Sequence, residues 1–111
     1  MIIDKTIFYR LNDNYYLVLT EHFQVRMIER IKNKELIFKI LNELKNLDIN
    51  RIKAYINKDI LLKYEHFNIY AHLKFNKNRK RFEVELISLT MNYFNGHYDI
   101  KANLTELSTI Y

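Results

Sequence analysis

Cysteine, proline and tryptophan are absent from this 111-residue chain, and Gly96 is its one glycine. Without cysteine there is no disulfide framework, no thiolate metal site and no thiol nucleophile. Average usage would give roughly 8 glycines and about 5 prolines in this length. So glycine-poor a chain cannot build a P-loop or a dinucleotide-type phosphate loop. Any phosphate chemistry must therefore be done by side chains on regular elements. No apolar run approaches the roughly 18 residues of a membrane span. Met1-Ile2-Ile3-Asp4-Lys5 also lacks the layout of a signal peptide, so a cytoplasmic protein that avoids the membrane is expected.

Hydrophobic residues make up 49% of the chain and charged ones 28%, enough apolar material for a packed core in a single domain spanning 1–111. It should fold alone or as a small oligomer. The net charge is +5, but Ile, Lys and Asn together make 40 of the 111 residues, as in AT-rich genomes, so a scattered lysine says little. Position is more informative than the total. Lys74, Lys77, Arg79, Lys80 and Arg81 lie close together with no acid between them, while the remaining residues balance at 13 basic against 13 acidic. The whole excess is thus one local patch, a footprint suited to nucleic-acid phosphates or, alternatively, a solvated turn whose lysines guard a sheet edge.

Hydropathy patterning predicts an α+β fold. Thr6 to Leu11 and Tyr15 to Thr20, rich in aromatic and β-branched residues and separated by Asn12-Asp13-Asn14, read as an N-terminal β-hairpin. Thr20 is placed to cap a helix from Glu21 to about Lys32, and Asn33 to cap a second from Lys34 to about Asn46. Ile49 to Asn57 reads as a strand, and Ile60 to Phe75 as a second, long one. In its later part Phe67, Ile69, Ala71, Leu73 and Phe75 alternate with polar residues, the mark of one buried face. Arg81 to Thr90 should return antiparallel, Asn95-Gly96 carries a hairpin signal, and Asn103 to Ser108 is either a short helix or a frayed tail. The expected architecture is two consecutive helices packed on one face of an antiparallel β-meander.

The first helix carries His22, Arg26 and Arg30 at spacings of four, one stripe bordering the expected buried arc of Phe23, Met27, Ile31 and Ile28. Guanidinium groups at the edge of an interface suit phosphate oxygens. His22, near the helix N-terminus, is placed to act as a neutral base. The alternative is that both arginines cover apolar surface with their stems and pair with Glu29 or a sheet carboxylate. Tyr70 and His72 share the polar side of the long strand, where tyrosine could stack on a base and histidine move a proton, or where both simply present polar tips to water. The histidine spacings suggest no metal site, since His66 and His72 would lie roughly 20 Å apart on one extended strand.

The stretch Leu19-Thr-Glu-His22-Phe-Gln-Val-Arg26-Met-Ile-Glu-Arg30-Ile resembles the opening of small RelE-like toxins, in particular the BrnT-type families. Those share a His-x3-Arg-x3-Arg helix, and Leu86-Ile-Ser-Leu-Thr90-Met-Asn-Tyr93 is similar to their late strand. Ile31-Lys32-Asn33 stands where they usually have a glycine. The resemblance implies a RelE-like, microbial-ribonuclease-like fold and a toxin that cleaves RNA without metal or cofactor, by attack of the ribose 2′-hydroxyl on the adjacent phosphate. It implies His22 as base or acid, Arg26 and Arg30 as phosphate clamp, and the Lys74 to Arg81 hairpin as the track for RNA. Tyr70, His72 and Thr90 are reserve candidates, and an acidic antitoxin or immunity protein would be the partner. The competing expectation is a non-enzymatic phage or plasmid inhibitor or binding module, acting on nucleic acid or on a host protein.

Overall fold

The structure, a computed structural model, describes residues 5–12 and 14–109. Asp13 of the expected turn and Met1 to Asp4 of the N-terminal reading lie outside the described residues. The fold is α+β. Strands β1 (Ile7–Asn12) and β2 (Tyr15–Leu19) form the expected hairpin, followed by helices α1 (Glu21–Arg30) and α2 (Lys34–Lys45). Both helices start where the sequence places them. The Thr20 hydroxyl accepts from the Phe23 N–H, and the Asn33 side chain accepts from that of Glu35, each satisfying a donor that the first helical turn leaves open.

The next segment departs from expectation. Residues 49–57 are not a strand: a short helix α3 (Ile49–Ile52) runs into a 3-10 turn (Lys53–Tyr55). Asp48 overrides the β-branched composition by accepting from the Asn50 N–H as an N-cap, and Ile52 is driven into the core. The expected long strand is in fact two, β3 (Asp59–Tyr64) and β4 (Phe67–Asn76), joined through a tight turn at Glu65-His66. Glu65 adopts φ 53°, as Asn57, Lys80 and Asn92 also take left-handed conformations, so non-glycine residues fill positions where glycine is the usual choice. Strand β5 (Arg81–Met91) returns antiparallel to β4 as expected.

Asn95-Gly96 forms no hairpin. Asn92 ends the β5 region at φ 60°, an irregular segment follows, and β6 (Ile100–Asn103) pairs parallel with β3 at the far edge. A short helix α4 (Leu104–Leu107) follows β6 with its leucines buried, which settles the helix-or-tail alternative. The six-stranded sheet has the order β1-β2-β5-β4-β3-β6 and is mixed, because β2 lies parallel to β5 and β6 parallel to β3. The expected meander is therefore confined to β3, β4 and β5. Among the described residues no helix is long and apolar enough to cross a membrane.

One core fills the space between sheet and helices. Phe23, Met27 and Ile31 from the α1 region and Ile40 and Leu44 from α2 meet Leu17, Leu19, Ile69, Ala71, Leu73, Val84 and Leu86. Strand β5 carries a bulge that swaps its parity: Ala71 pairs with Leu86, Tyr70 with Ser88, and Ile87 has no opposite number. Leu86 and Leu89, three apart, thus both face the helices, while Glu83, Glu85, Ser88 and Thr90 face the other way. That second face of the sheet is the one without helices.

Candidate nucleic-acid interface

The helix-free face is built from alternate residues: Phe8 and Arg10 of β1, Tyr16 and Val18 of β2, Arg81, Glu83 and Glu85 of β5, Tyr70, His72 and Lys74 of β4, and Asp59 of β3. To pass from β5 to β6 the chain must cross β4 and β3. It does so on this face, with the Phe94 ring stacked on Tyr70 at 5.1 Å between centroids. Gly96 makes that packing possible, since a Cβ there would lie 2.6 Å from the tip of the Phe94 ring. The crossing covers the Tyr70 end. Along the diagonal from His72 to Phe8, the described residues His72, Lys74, Arg81 and Tyr16 are partly exposed and Phe8 is exposed.

At the His72 end, the ring Nδ1 lies 2.7 Å from Asp59 Oδ1. An ionised carboxylate can only accept, so Nδ1–H donates to Asp59 in this pair and Nε2 is the ring nitrogen turned to another group. Tyr70 stands close by, its phenol pushed above the usual tyrosine value by burial first and then by the negative charge of Asp59, to which it also hydrogen-bonds. Glu85 is the cross-strand neighbour of His72, and its carboxylate lies 3.4 Å from Lys74 Nζ. A base position, a cation and a carboxylate therefore occupy adjacent sites on two paired strands.

At the other end stands a cation and aromatic cluster. Arg81 lies 3.8 Å from the Tyr16 ring centroid and 5.0 Å from that of Phe8, and Arg79 lies 4.7 Å from Phe8. Glu83 organises both arginines from below: it is 2% exposed and meets Arg81 at 3.0 Å, Arg79 at 3.3 Å and the Asn76 amide at 3.1 Å. Burial alone would push the Glu83 carboxyl up. The hydrogen bonds from Asn76 and Arg81 and the charges of Arg79 and Arg81 outweigh it, so the group sits below the ordinary carboxylate value. The Asn76 side chain also accepts from the Asn78 and Arg79 N–H groups, which fixes the turn between β4 and β5. Lys77 and Lys80 are exposed on that turn. Two carboxylates beneath five cations leave this patch an excess of three positive charges instead of the five read from the segment alone.

The α1 stripe lies elsewhere. His22 is exposed in the first turn, Arg26 pairs with Glu29 at 3.1 Å, and Arg30 donates to the Leu89 carbonyl at 3.2 Å. The two arginines take up the border positions of the alternative reading. Tyr70, His72 and Thr90 are on the opposite side of the sheet, Thr90 sharing a 3.4 Å hydrogen bond with Asn68 there, so the structure does not bring them together with His22, Arg26 and Arg30. Asp59, His97 and Asp99, on the other hand, place ligand-capable atoms within 4.8 Å of one another, a juxtaposition that no sequence spacing reveals. Asp99 is already engaged: it accepts from the Asp59 N–H, and that bond, with the nearby His97, lowers its carboxyl below the ordinary value.

No protein-family model, no curated protein and no solved structure matches this chain.

Proposed function

We propose that the helix-free face binds RNA and that His72 cleaves it. The observation that carries this reading is the continuity of the strip, in which His72, oriented by Asp59, adjoins Lys74 and then the Arg79 and Arg81 cluster. In the reaction, His72 Nε2 accepts the 2′-hydroxyl proton and Asp59 stabilises the resulting imidazolium. The 2′-oxygen bonds to phosphorus while the Lys74 ammonium offsets charge on the non-bridging oxygens. The bond from phosphorus to the 5′-oxygen breaks, and the leaving oxygen takes a proton from a water that the His72 imidazolium reprotonates, giving a 2′,3′-cyclic phosphate, a 5′-hydroxyl and neutral His72. The resemblance of the Leu19 to Ile31 segment to RelE-like toxins implies the same class of activity, in the cytoplasm and under control of an acidic antitoxin or immunity protein, but assigns the chemistry to α1 instead of to His72.

The test uses purified protein and labelled RNA in EDTA. Wild type should give fragments with cyclic phosphate ends, and His72→Ala should slow cleavage by about 100-fold or more. Absence of cleavage by wild type, or undiminished cleavage by His72→Ala, overturns the assignment. Loss in His22→Ala or Arg26→Ala with His72→Ala still active would move the chemistry to α1. A second reading, a binding module without turnover, draws on the carboxylates that already hold Lys74, Arg79 and Arg81 in place. It predicts stoichiometric binding that survives His72→Ala and fails on charge reversal of Lys77 and Lys80.

A further inference from the structure

The Phe8 end of the strip has a composition that cleavage alone does not require. Phosphate attraction needs only cations, and lysines on a turn would supply it. Here the two arginines are instead laid against aromatic rings, with Arg81 between Tyr16 and Phe8 and Arg79 over Phe8. Phe8 remains 42% exposed although its neighbours on β2 are buried. Phe38 and Phe75 are exposed too, but among the described residues Phe8 is the one with two guanidiniums laid against its ring. The rings also lie on strands, and the arginines are anchored by a buried carboxylate, so the surface is already organised before anything binds.

We propose that Phe8, with Tyr16 and Arg81, forms a stacking subsite for an unpaired nucleobase, which makes single-stranded RNA the ligand class of this face. The inference rests on the reading that the strip binds RNA. Every base has a π face that an aromatic ring or a guanidinium plane can cover, and cations spaced around the ring suit the flanking phosphates. A duplex buries its base faces within the stack and could use only the cations.

Affinity for a short unstructured oligouridine and for a hairpin duplex of equal length, followed by fluorescence anisotropy across a salt series, decides the matter. Phe8→Leu should weaken oligouridine binding by about tenfold without changing the salt slope, and Phe8→Tyr should restore it. Because the chain has no tryptophan, Phe8→Trp adds a single reporter whose emission should be quenched on binding. Lys77→Ala should instead reduce the salt slope and affect both ligands alike. Equal affinity of wild type and Phe8→Leu, unquenched Phe8→Trp in a complex that forms, or equal affinity for the duplex would each overturn the stacking subsite while leaving RNA binding intact. If wild type binds neither RNA, the parent reading fails, and this one with it.

Discussion

Replacing Glu83 by glutamine tests how the basic patch is held. The side chain is 2% exposed, and its Oε2 serves Arg81 at 3.0 Å and Arg79 at 3.3 Å. Glutamine keeps the shape and one acceptor oxygen, so the Asn76 contact can persist, but it removes the charge that neutralises two guanidiniums. Removing one partner of a fully buried pair costs about 3 to 5 kcal/mol. Arg81 is 17% exposed and Arg79 47%, so water screens the second cation and much of its share must be discounted to the surface range of about 0.2 to 1 kcal/mol. A destabilisation of about 2 kcal/mol at neutral pH follows, roughly 10 °C in melting temperature for a domain of this size. The pH dependence fixes the cause. The folded carboxyl sits below its ordinary value of 4.5, so its contribution is present in full above that value and is lost as pH falls through the lower folded one. Urea unfolding of wild type and Glu83→Gln should therefore differ by a constant amount from pH 6 upward and converge in acid. Equal stability at pH 7, or a gap that persists unchanged into acid, would refute the ion-pair account.

Three smaller perturbations act on the β3–β4 turn, the α1 cap and the crossing segment. Glu65→Gly relieves a left-handed residue in the β3–β4 turn and should raise stability by about 0.5 kcal/mol after the added chain entropy is deducted, as read by thermal unfolding. Thr20→Val removes both the cap on Phe23 and a 2.8 Å bond to the Leu86 carbonyl, and should cost about 2 kcal/mol in urea unfolding. Gly96→Ala should displace Phe94 from Tyr70. Its signature is a change in the ring chemical shifts of Tyr70 with little change in those of Phe23.

The parts of the fold that were legible in the sequence are those decided by local chemistry. Thr20 and Asn33 announce α1 and α2 because a capping side chain acts within three residues, and the alternation from Phe67 to Asn76 announces β4 because the pleat fixes a period of two. Segment 49–57 misled because isoleucines fit a strand and a buried helical turn alike, and only Asp48 distinguishes them. The Glu65-His66 turn is silent, since neither residue is a usual turn former and tertiary pairing of β3 with β4 imposes the positive φ. Asn95-Gly96 looked like a hairpin because the pair suits one locally. What decides its conformation is the stacking of Phe94 on Tyr70, a contact with a residue more than twenty positions away.

The run from Lys74 to Arg81 contains no acid, yet Glu83 and Glu85 follow at alternate positions, and in a strand alternate positions share a face. The two strand periods after Arg81 bring Glu83 and then Glu85 to the cations and cut the excess from five to three. Such a patch attracts phosphate less strongly than a bare one, but its arginines are fixed in orientation, and fixed guanidiniums discriminate among ligands better than mobile lysines do. Phe8 and Tyr16 could not be linked to it from sequence, because the parallel register of β2 on β5 joins segments separated by three helices and two strands. It is this register that turns a basic turn into a surface with rings between its charges. If the strip binds RNA as proposed, its selectivity for unpaired bases over duplex would rest on the pairing of Tyr16 with Glu83 across β2 and β5, more than on the number of positive charges in the chain.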